Sequence, residues 1–244
     1  MVMPQIQPNS DLDFMARALV LAREVRGHVW PNPPVGCVIV KDREIIAEAA
    51  THPGGRPHAE RQAIDLAGQA AAGATLYVTL EPCCHWGKTP PCANAIIEAR
   101  ISRVVCSVQD PDSRVNGGGF AKLREAGIDV SVGICREEAE ALMSGFFHRL
   151  LFGVPEVVTS AGGPGIIPKG ADAVLSSSER TCIVTTRSRT IETGLSDPNE
   201  LLGWMGRVGL TTVAIPEDHP FWSATKRKAV LIERTKAAGF SPTL

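Results

Sequence analysis

The stretch from His58 to Cys92 constrains this chain more than any other. It opens with His58-Ala59-Glu60 and closes with Glu81-Pro82-Cys83-Cys84-His85-Trp86-Gly87-Lys88-Thr89-Pro90-Pro91-Cys92. One imidazole, thiols at both ends of a loop and a carboxylate two residues after the histidine make a zinc site with its own proton shuttle. His58, Cys83 and Cys92 are the expected ligands, and Glu60 is the group that moves protons without ligating. Three protein ligands leave a fourth position for water, the arrangement of a catalytic zinc site, where the pKa of that water falls to about 7.

Two plainer readings compete. A closed structural site would add Cys84 as a fourth ligand, but adjacent side chains usually diverge, and such a site leaves Glu60 without a task. A Cys83–Cys92 disulfide would need an oxidising compartment. Cys84 is therefore set aside as a loop side chain. His58 and Cys92 both fall at expected helix starts, where unpaired N–H groups favour negative charge and should help keep Cys92 a thiolate.

Composition narrows the remaining classes. At 244 residues, 44% apolar and 21% charged, the chain can bury a real core in one large or two modest domains. A net charge of −1 offers no field for a polyanion, so nucleic acid is not an expected partner. No run of about 18 apolar residues is present, and no basic segment followed by an apolar one opens the chain, so neither a membrane span nor a signal peptide is expected. Seven cysteines is an odd number. Cys37, Cys106 and Cys182 sit in apolar, strand-like runs as buried free thiols do. That usage predicts a reducing, cytoplasmic setting.

Residues 1–9 lack periodicity and read as a loose tail. Ser10 starts a helix, with Asp13 in place of the usual capping Glu, and Leu12, Met15, Leu19 and Ala22 are expected on its buried face, widened by Phe14, Ala18, Leu21 and Val25. Val35–Val40 and Glu44–Ala50 predict a β-hairpin. A glycine- and proline-bearing loop then delivers His58 to a helix ending near Ala72. Strands follow over Thr75–Leu80, Arg103–Val108 and Ile128–Gly133. Helices are expected from Pro91 or Cys92 to Arg100, over Gly119–Ala126, and over Glu137–Leu151. Strands alternating with helices after a hairpin predict an α/β fold with a mainly parallel sheet, whose ligands bind beyond the carboxyl ends of the strands, where the Cys83 loop lies. After Gly153 the texture changes. Gly153–Gly170 holds five glycines and three prolines. Beyond it, strands are expected at Thr181–Thr186 and Thr211–Ile215, and helices at Pro198–Val208 and Ser223–Ala238.

The H-x-E then P-C order is that of zinc nucleobase deaminases, but eight residues separate Cys83 from Cys92 where a short P-C-x-x-C is usual. Together with Met15-Ala16-Arg17-Ala18, Pro31-Asn32-Pro33, Val35-Gly36 and Gln109-Asp110-Pro111, the long loop resembles the deaminase half of the bifunctional bacterial riboflavin-pathway deaminase/reductases. The resemblance covers roughly residues 12–150. It implies a cytidine deaminase-like three-layer α/β/α sandwich with a mixed, mainly parallel sheet over 1–150, and a smaller α/β reductase remnant without reductase activity over 151–244. It implies zinc as cofactor and hydrolytic deamination of 2,5-diamino-6-ribosylamino-4(3H)-pyrimidinone 5′-phosphate. Asn32 would hold the pyrimidine, and His85, Lys88 and Asp110 would contact substrate, Lys88 at the ribose phosphate. A homo-oligomer, a dimer, is the expected assembly.

Four departures accompany the resemblance. Thr51 stands where the family has a histidine, and Asp112 where it has an asparagine. The reductase stretch Ser-Leu-Asp-Gly would fall at Ser160-Ala161-Gly162-Gly163, without its aspartate, and its Glu-Gly-Gly is replaced by Pro216-Glu217-Asp218. Thr51, Asp112 and the missing reductase keep open a related pyrimidine or pteridine in a secondary pathway, such as toxoflavin-like azapteridine synthesis. The near-neutral charge argues against a tRNA base deaminase. An intact Glu60 argues against a scaffold that keeps zinc only for stability.

Overall fold

The computed structural model describes residues 10–177 and 181–223. The tail expected over 1–9, and nearly all of the helix expected over Ser223–Ala238, lie outside them. The contacts divide the chain into two compact units. One comprises the chain up to Val25 with Pro34–Leu142, the other Arg26–Pro33 with the chain from Met143 onward.

The first unit runs α1 (Asp11–Val25), β1 (Gly36–Lys41), β2 (Glu44–Ala50), α2 (Ala59–Ala67), β3 (Thr75–Leu80), α3 (Cys92–Glu98), β4 (Arg103–Val108), α4 (Gly118–Glu125), β5 (Asp129–Val132) and α5 (Arg136–Leu142). Its sheet has the order β2-β1-β3-β4-β5. The strand β1 is antiparallel to both neighbours, while β3, β4 and β5 are mutually parallel. All strands but β1 thus point one way, which is the mixed, mainly parallel sheet expected. Helices α1 and α5 pack together, and α2, α3 and α4 form a second group. Val38 and Val40 of β1 join Phe14, Met15, Ala18 and Leu21 of α1 in one core. Cys37 and Ile39, also fully buried, point to the other face by strand alternation. Three layers result.

The start of α1 follows its capping pattern: the Ser10 hydroxyl accepts the Asp13 N–H at 3.3 Å, and the Asp13 carboxylate accepts the Ser10 N–H at 3.1 Å. Its buried face differs from expectation at Leu12, which is 60% exposed. The reason is a close approach centred on Ala18, whose carbonyl oxygen would lie 1.9 Å from a Cβ at Gly36. Leu12 is six positions back, about 120° round the helix from that contact, whereas Phe14, Met15, Leu21 and Ala22 lie within about 60°. The helix ending near Ala72 is also modified: α2 stops at Ala67, and a 3-10 turn covers Gly68–Ala71.

The single helix expected over Glu137–Leu151 is two. Met143 leaves helical geometry (φ −101°, ψ 10°), separating α5 from α6 (Ser144–Phe152). Gly145 of α6 comes so close to Thr212 that a Cβ would lie 2.0 Å from its hydroxyl oxygen, so α6 is oriented by the second unit. The division between units accordingly falls at Leu142, before residue 150.

The second unit continues with β6 (Glu156–Ser160), β7 (Ala173–Ser177), β8 (Cys182–Thr186), β9 (Thr190–Thr193), α7 (Pro198–Arg207) and β10 (Thr212–Pro216). Its sheet, β6-β10-β7-β8-β9, is parallel across β6, β10 and β7 and antiparallel across β7, β8 and β9. The pattern did not reveal β6, β7 or β9, which are short and lie among glycines, prolines, serines and threonines. Helix α7 begins as its sequence predicts, with Asp197 accepting the N–H groups of Asn199 and Glu200 at 2.8 and 2.9 Å and Pro198 in the first turn. Among the described residues, no helix is long and apolar enough to cross a membrane.

Candidate metal centre and active site

Three element boundaries build the site. His58 is the N-cap of α2, with extended backbone (φ −70°, ψ 158°). Cys83 follows β3, and Cys92 is the first residue of α3, capped by Pro91. One nitrogen of His58 and the two sulfurs lie within 4.8 Å of one another. His58 Nδ1 is 3.4 Å from Cys92 Sγ and 3.8 Å from Cys83 Sγ. A tetrahedral zinc with ordinary Zn–N and Zn–S bonds separates such a pair by roughly 3.6 Å, so the donor set fits that ion in both spacing and chemistry. Cys84 points elsewhere: its thiol donates to the Arg114 carbonyl at 3.5 Å and borders Gly118.

The start of α3 acts on a different thiol from the one expected. Its first N–H, from Cys92, donates to Cys83 Sγ at 3.3 Å, and the next, from Ala93, to the Cys83 carbonyl at 3.1 Å. The Cys92 thiol, this N–H and the His58 ring together hold the Cys83 thiol well below its ordinary range. Cys92, which donates to Cys83 and is itself buried, is pushed up. The helix N-terminus therefore favours thiolate at Cys83 first. His58 in turn is raised by its hydrogen bond to Cys83.

Glu60 is buried on the sheet-facing side of α2 with Ala59 and Ala63. Burial pushes its carboxyl up, opposed by the charge of His58. A carboxyl shifted toward neutrality can both accept and return a proton. The opposite face of α2 carries Arg61 and Asp65 and borders a groove of about 400 Å³ beside His58 and Cys92. Trp86, Thr89 and Pro90 of the long loop wall that groove, and Arg56 holds the loop there by donating to the Thr89 hydroxyl. The long loop between Cys83 and Cys92 thus divides in two. Its Trp86, Thr89 and Pro90 lie along this outer groove, while half-buried His85 lies near Asp112.

Asp110 sits on the loop after β4. It is 7% exposed, its carboxylate accepts the Asp112 N–H at 2.9 Å, and burial pushes its carboxyl up to about 6. Asp112 is locked by Arg114, whose guanidinium grips both carboxylate oxygens and whose backbone N–H donates to one of them at 3.0 Å. Those bonds hold Asp112 below the usual carboxylate range. Lys88 is exposed on its loop, and the Nδ1 of His85 is buried without a protein partner. Thr51 is buried, with its hydroxyl oxygen accepting the Val35 N–H at 3.1 Å. Asn32 falls in Arg26–Pro33, the segment grouped with the second unit, and its N–H donates to the Val29 carbonyl at 3.0 Å. Its assignment to the pyrimidine rests on the resemblance alone. Sequence reasoning passed over Glu81, a buried carboxylate on the β3 side of the site that accepts backbone N–H groups from the β4–α4 loop and the first turn of α4. Its signal was in plain view, a charged residue directly after the apolar run of β3.

Comparison with known proteins places these features in a family. The cytidine and deoxycytidylate deaminase zinc-binding region matches residues 8–108. The riboflavin biosynthesis protein RibD of Escherichia coli strain K12 is 52% identical over 149 residues, 61% of this chain and 41% of that protein. The chain thus spans well under two thirds of that relative's length. The diaminohydroxyphosphoribosylamino-pyrimidine deaminase of Buchnera aphidicola from Acyrthosiphon pisum is 44% identical over 146 residues, covering 60% of this chain and 99% of that one. Among solved structures, Acinetobacter baumannii RibD (form 2) superposes with a TM-score of 0.66 at 30% identity, over 84% of this chain and 79% of that one.

Two measurements test the site. His58→Ala or Cys92→Ala should take bound zinc from about one per chain to near none by elemental analysis after dialysis, while Cys84→Ser keeps it. The raised pKa of Asp110 means the folded state holds its proton above the unfolded value of 3.8, so ionising it opposes folding as pH rises through about 6. Asp110→Asn should therefore gain stability relative to the parent between about pH 4 and 6, by up to about 3 kcal/mol, and hold that gain above it. Urea unfolding at a series of pH values reads this directly.

Proposed function

We infer the activity from the family: this chain belongs to the zinc-binding cytidine and deoxycytidylate deaminases, on their riboflavin-pathway branch. It removes one amino group hydrolytically from 2,5-diamino-6-ribosylamino-4(3H)-pyrimidinone 5′-phosphate and releases ammonia. The observation that carries this reading is a buried Glu60 beside a His58-Cys83-Cys92 donor set spaced for zinc.

His58, Cys83 and Cys92 hold the metal, which when bound supplies the Lewis acidity that makes water nucleophilic near neutral pH. Glu60 takes a proton from the attacking water and gives it to the ring nitrogen beside the reacting carbon. It then carries the second proton to the amino group, so that the C–N bond breaks with ammonia as the leaving group. Burial pushes the Glu60 carboxyl up, which favours its holding a proton between the two transfers. Asp110 and His85 contact the substrate from the loops after β4 and β3, and Lys88 meets the phosphate.

Asp112 does not spoil an anion site on this reading, because Arg114 neutralises it. The pair thus removes one ground for preferring another heterocycle. The second unit is read as lacking reductase activity. Ser160 and Pro216, where the two reductase motifs are missing, are register partners at the carboxyl ends of adjacent parallel strands, where such a sheet would bind a dinucleotide. All seven cysteines are free, which supports a reducing cytoplasm as the setting. The assembly is read as a homodimer.

Incubation of purified protein with the diaminopyrimidine phosphate tests the activity. Zinc-dependent ammonia release should fall by roughly 10²–10⁴ in Glu60→Gln with zinc retained. Release only from another heterocycle would sink the substrate assignment. Arg114→Ala, which strips Asp112 of its partner, should raise KM roughly threefold with little change in kcat, and more so at low ionic strength. Adding Asp112→Asn should restore KM.

A further inference from the structure

Glu81 is a heavily bonded side chain beside the site that the reaction itself leaves unused. It stands one residue past β3 and two before Cys83, and its backbone N–H continues the ladder to the Val108 carbonyl at 2.9 Å. The side chain, 3% exposed, crosses to the loop that follows β4. There Oε2 accepts the N–H groups of Asp110 at 3.2 Å and Gly117 at 3.0 Å, and Oε1 accepts those of Gly119 at 2.9 Å and Phe120 at 3.3 Å.

Three of these four donors, those of Gly117, Gly119 and Phe120, have one origin. Helix α4 begins after Gly117, which has no side chain to cap it. A helix start without a local cap leaves N–H groups to be satisfied, and its dipole favours an anion. Glu81 supplies both from a distant point in the chain. The backbone is shaped to admit it, since a Cβ on Gly119 would lie 2.1 Å from the Pro82 carbonyl oxygen and 3.1 Å from Glu81 Oε1.

We propose that Glu81 is a positioning residue for the deamination: its carboxylate holds the Asp110 loop against the Cys83 turn, and through Asp110 it sets the substrate's place relative to the metal ligands. The bond to the Asp110 N–H is direct, and Asp110 then orders the next residues by accepting the Asp112 N–H. Cys84, bonded to the Arg114 carbonyl, adds a second tie between the same two loops. A glutamine at 81 would keep the shape but replace one acceptor oxygen with an NH₂ group facing two N–H donors, leaving them unsatisfied.

This inference rests on the deaminase reading for its kinetic arm, and hydrogen exchange tests it apart from activity. In full-length Glu81→Gln, zinc should stay at about one per chain, and the amides of Asp110, Gly117, Gly119 and Phe120 should exchange at least roughly tenfold faster, those of β3 and β4 being unchanged. With the diaminopyrimidine phosphate, kcat/KM should fall at least roughly tenfold, and Glu81→Gln with Asp110→Asn should be no worse than Asp110→Asn alone. Unchanged exchange at those four amides, or losses that multiply in the double variant, would overturn the proposal. A parent protein that releases no ammonia overturns the deaminase reading instead, and exchange then decides whether Glu81 holds the loop. Should the Gln variant not fold, Glu81→Asp keeps the charge but shortens the reach. It should show intermediate exchange and activity, and parent-like values of both would reject the role.

Discussion

The bond from the Cys92 N–H to the Cys83 sulfur is the contact on which the metal centre depends. It brings the two ends of a long loop together at one helix start, and the Ala93 N–H, bonded to the Cys83 carbonyl, fixes their relative orientation. With both ends fixed, the intervening residues must leave the centre. Trp86, Thr89 and Pro90 do so along the outer face of α2. The same donors favour negative charge on Cys83, the form in which a thiol binds metal. One helix terminus therefore shapes the loop and prepares a ligand.

The site also holds four carboxylates in a small space, and each is managed differently. Glu60 is buried near His58, which partly offsets the cost of its charge. Glu81 is satisfied by four backbone N–H groups. Asp110 accepts one N–H and is pushed up by burial, and Asp112 is paired with Arg114. Like charges this close would repel in a dry interior. Burial pushes up the carboxyls of Glu60 and Asp110, the two assigned to proton transfer and substrate contact. The two that brace the backbone are fully hydrogen-bonded.

Much of the first unit was legible because its signals are local. The apolar runs Thr75–Leu80 and Arg103–Val108 coincide with β3 and β4, and Pro91 marks the start of α3. The three ligands could be named because their spacing is carried by residue type. The second unit was less legible. Its strands β6, β7 and β9 lie among glycines, prolines, serines and threonines that read as loop, whereas β8 and β10, of similar length, carry compact β-branched runs. Nor could the break at Met143 be foreseen, since Glu137–Leu151 has unbroken helical character and the interruption comes from packing around Gly145.

By itself, then, the amino-acid order determined the donor set, the place of a carboxylate, Glu60, two residues after the ligand histidine, the order of elements through residue 142 and the family to which the chain belongs. Those are properties of residue type and short spacing. Tertiary structure alone decided which thiol the helix start serves, where the long loop lies, how Asp112 is neutralised and which backbone groups Glu81 meets. The Glu81 bonds span 29 to 39 positions of sequence, and only the parallel pairing of β3 with β4 brings those loops side by side. A hydrogen bond depends on distance in space, and no local pattern encodes that distance.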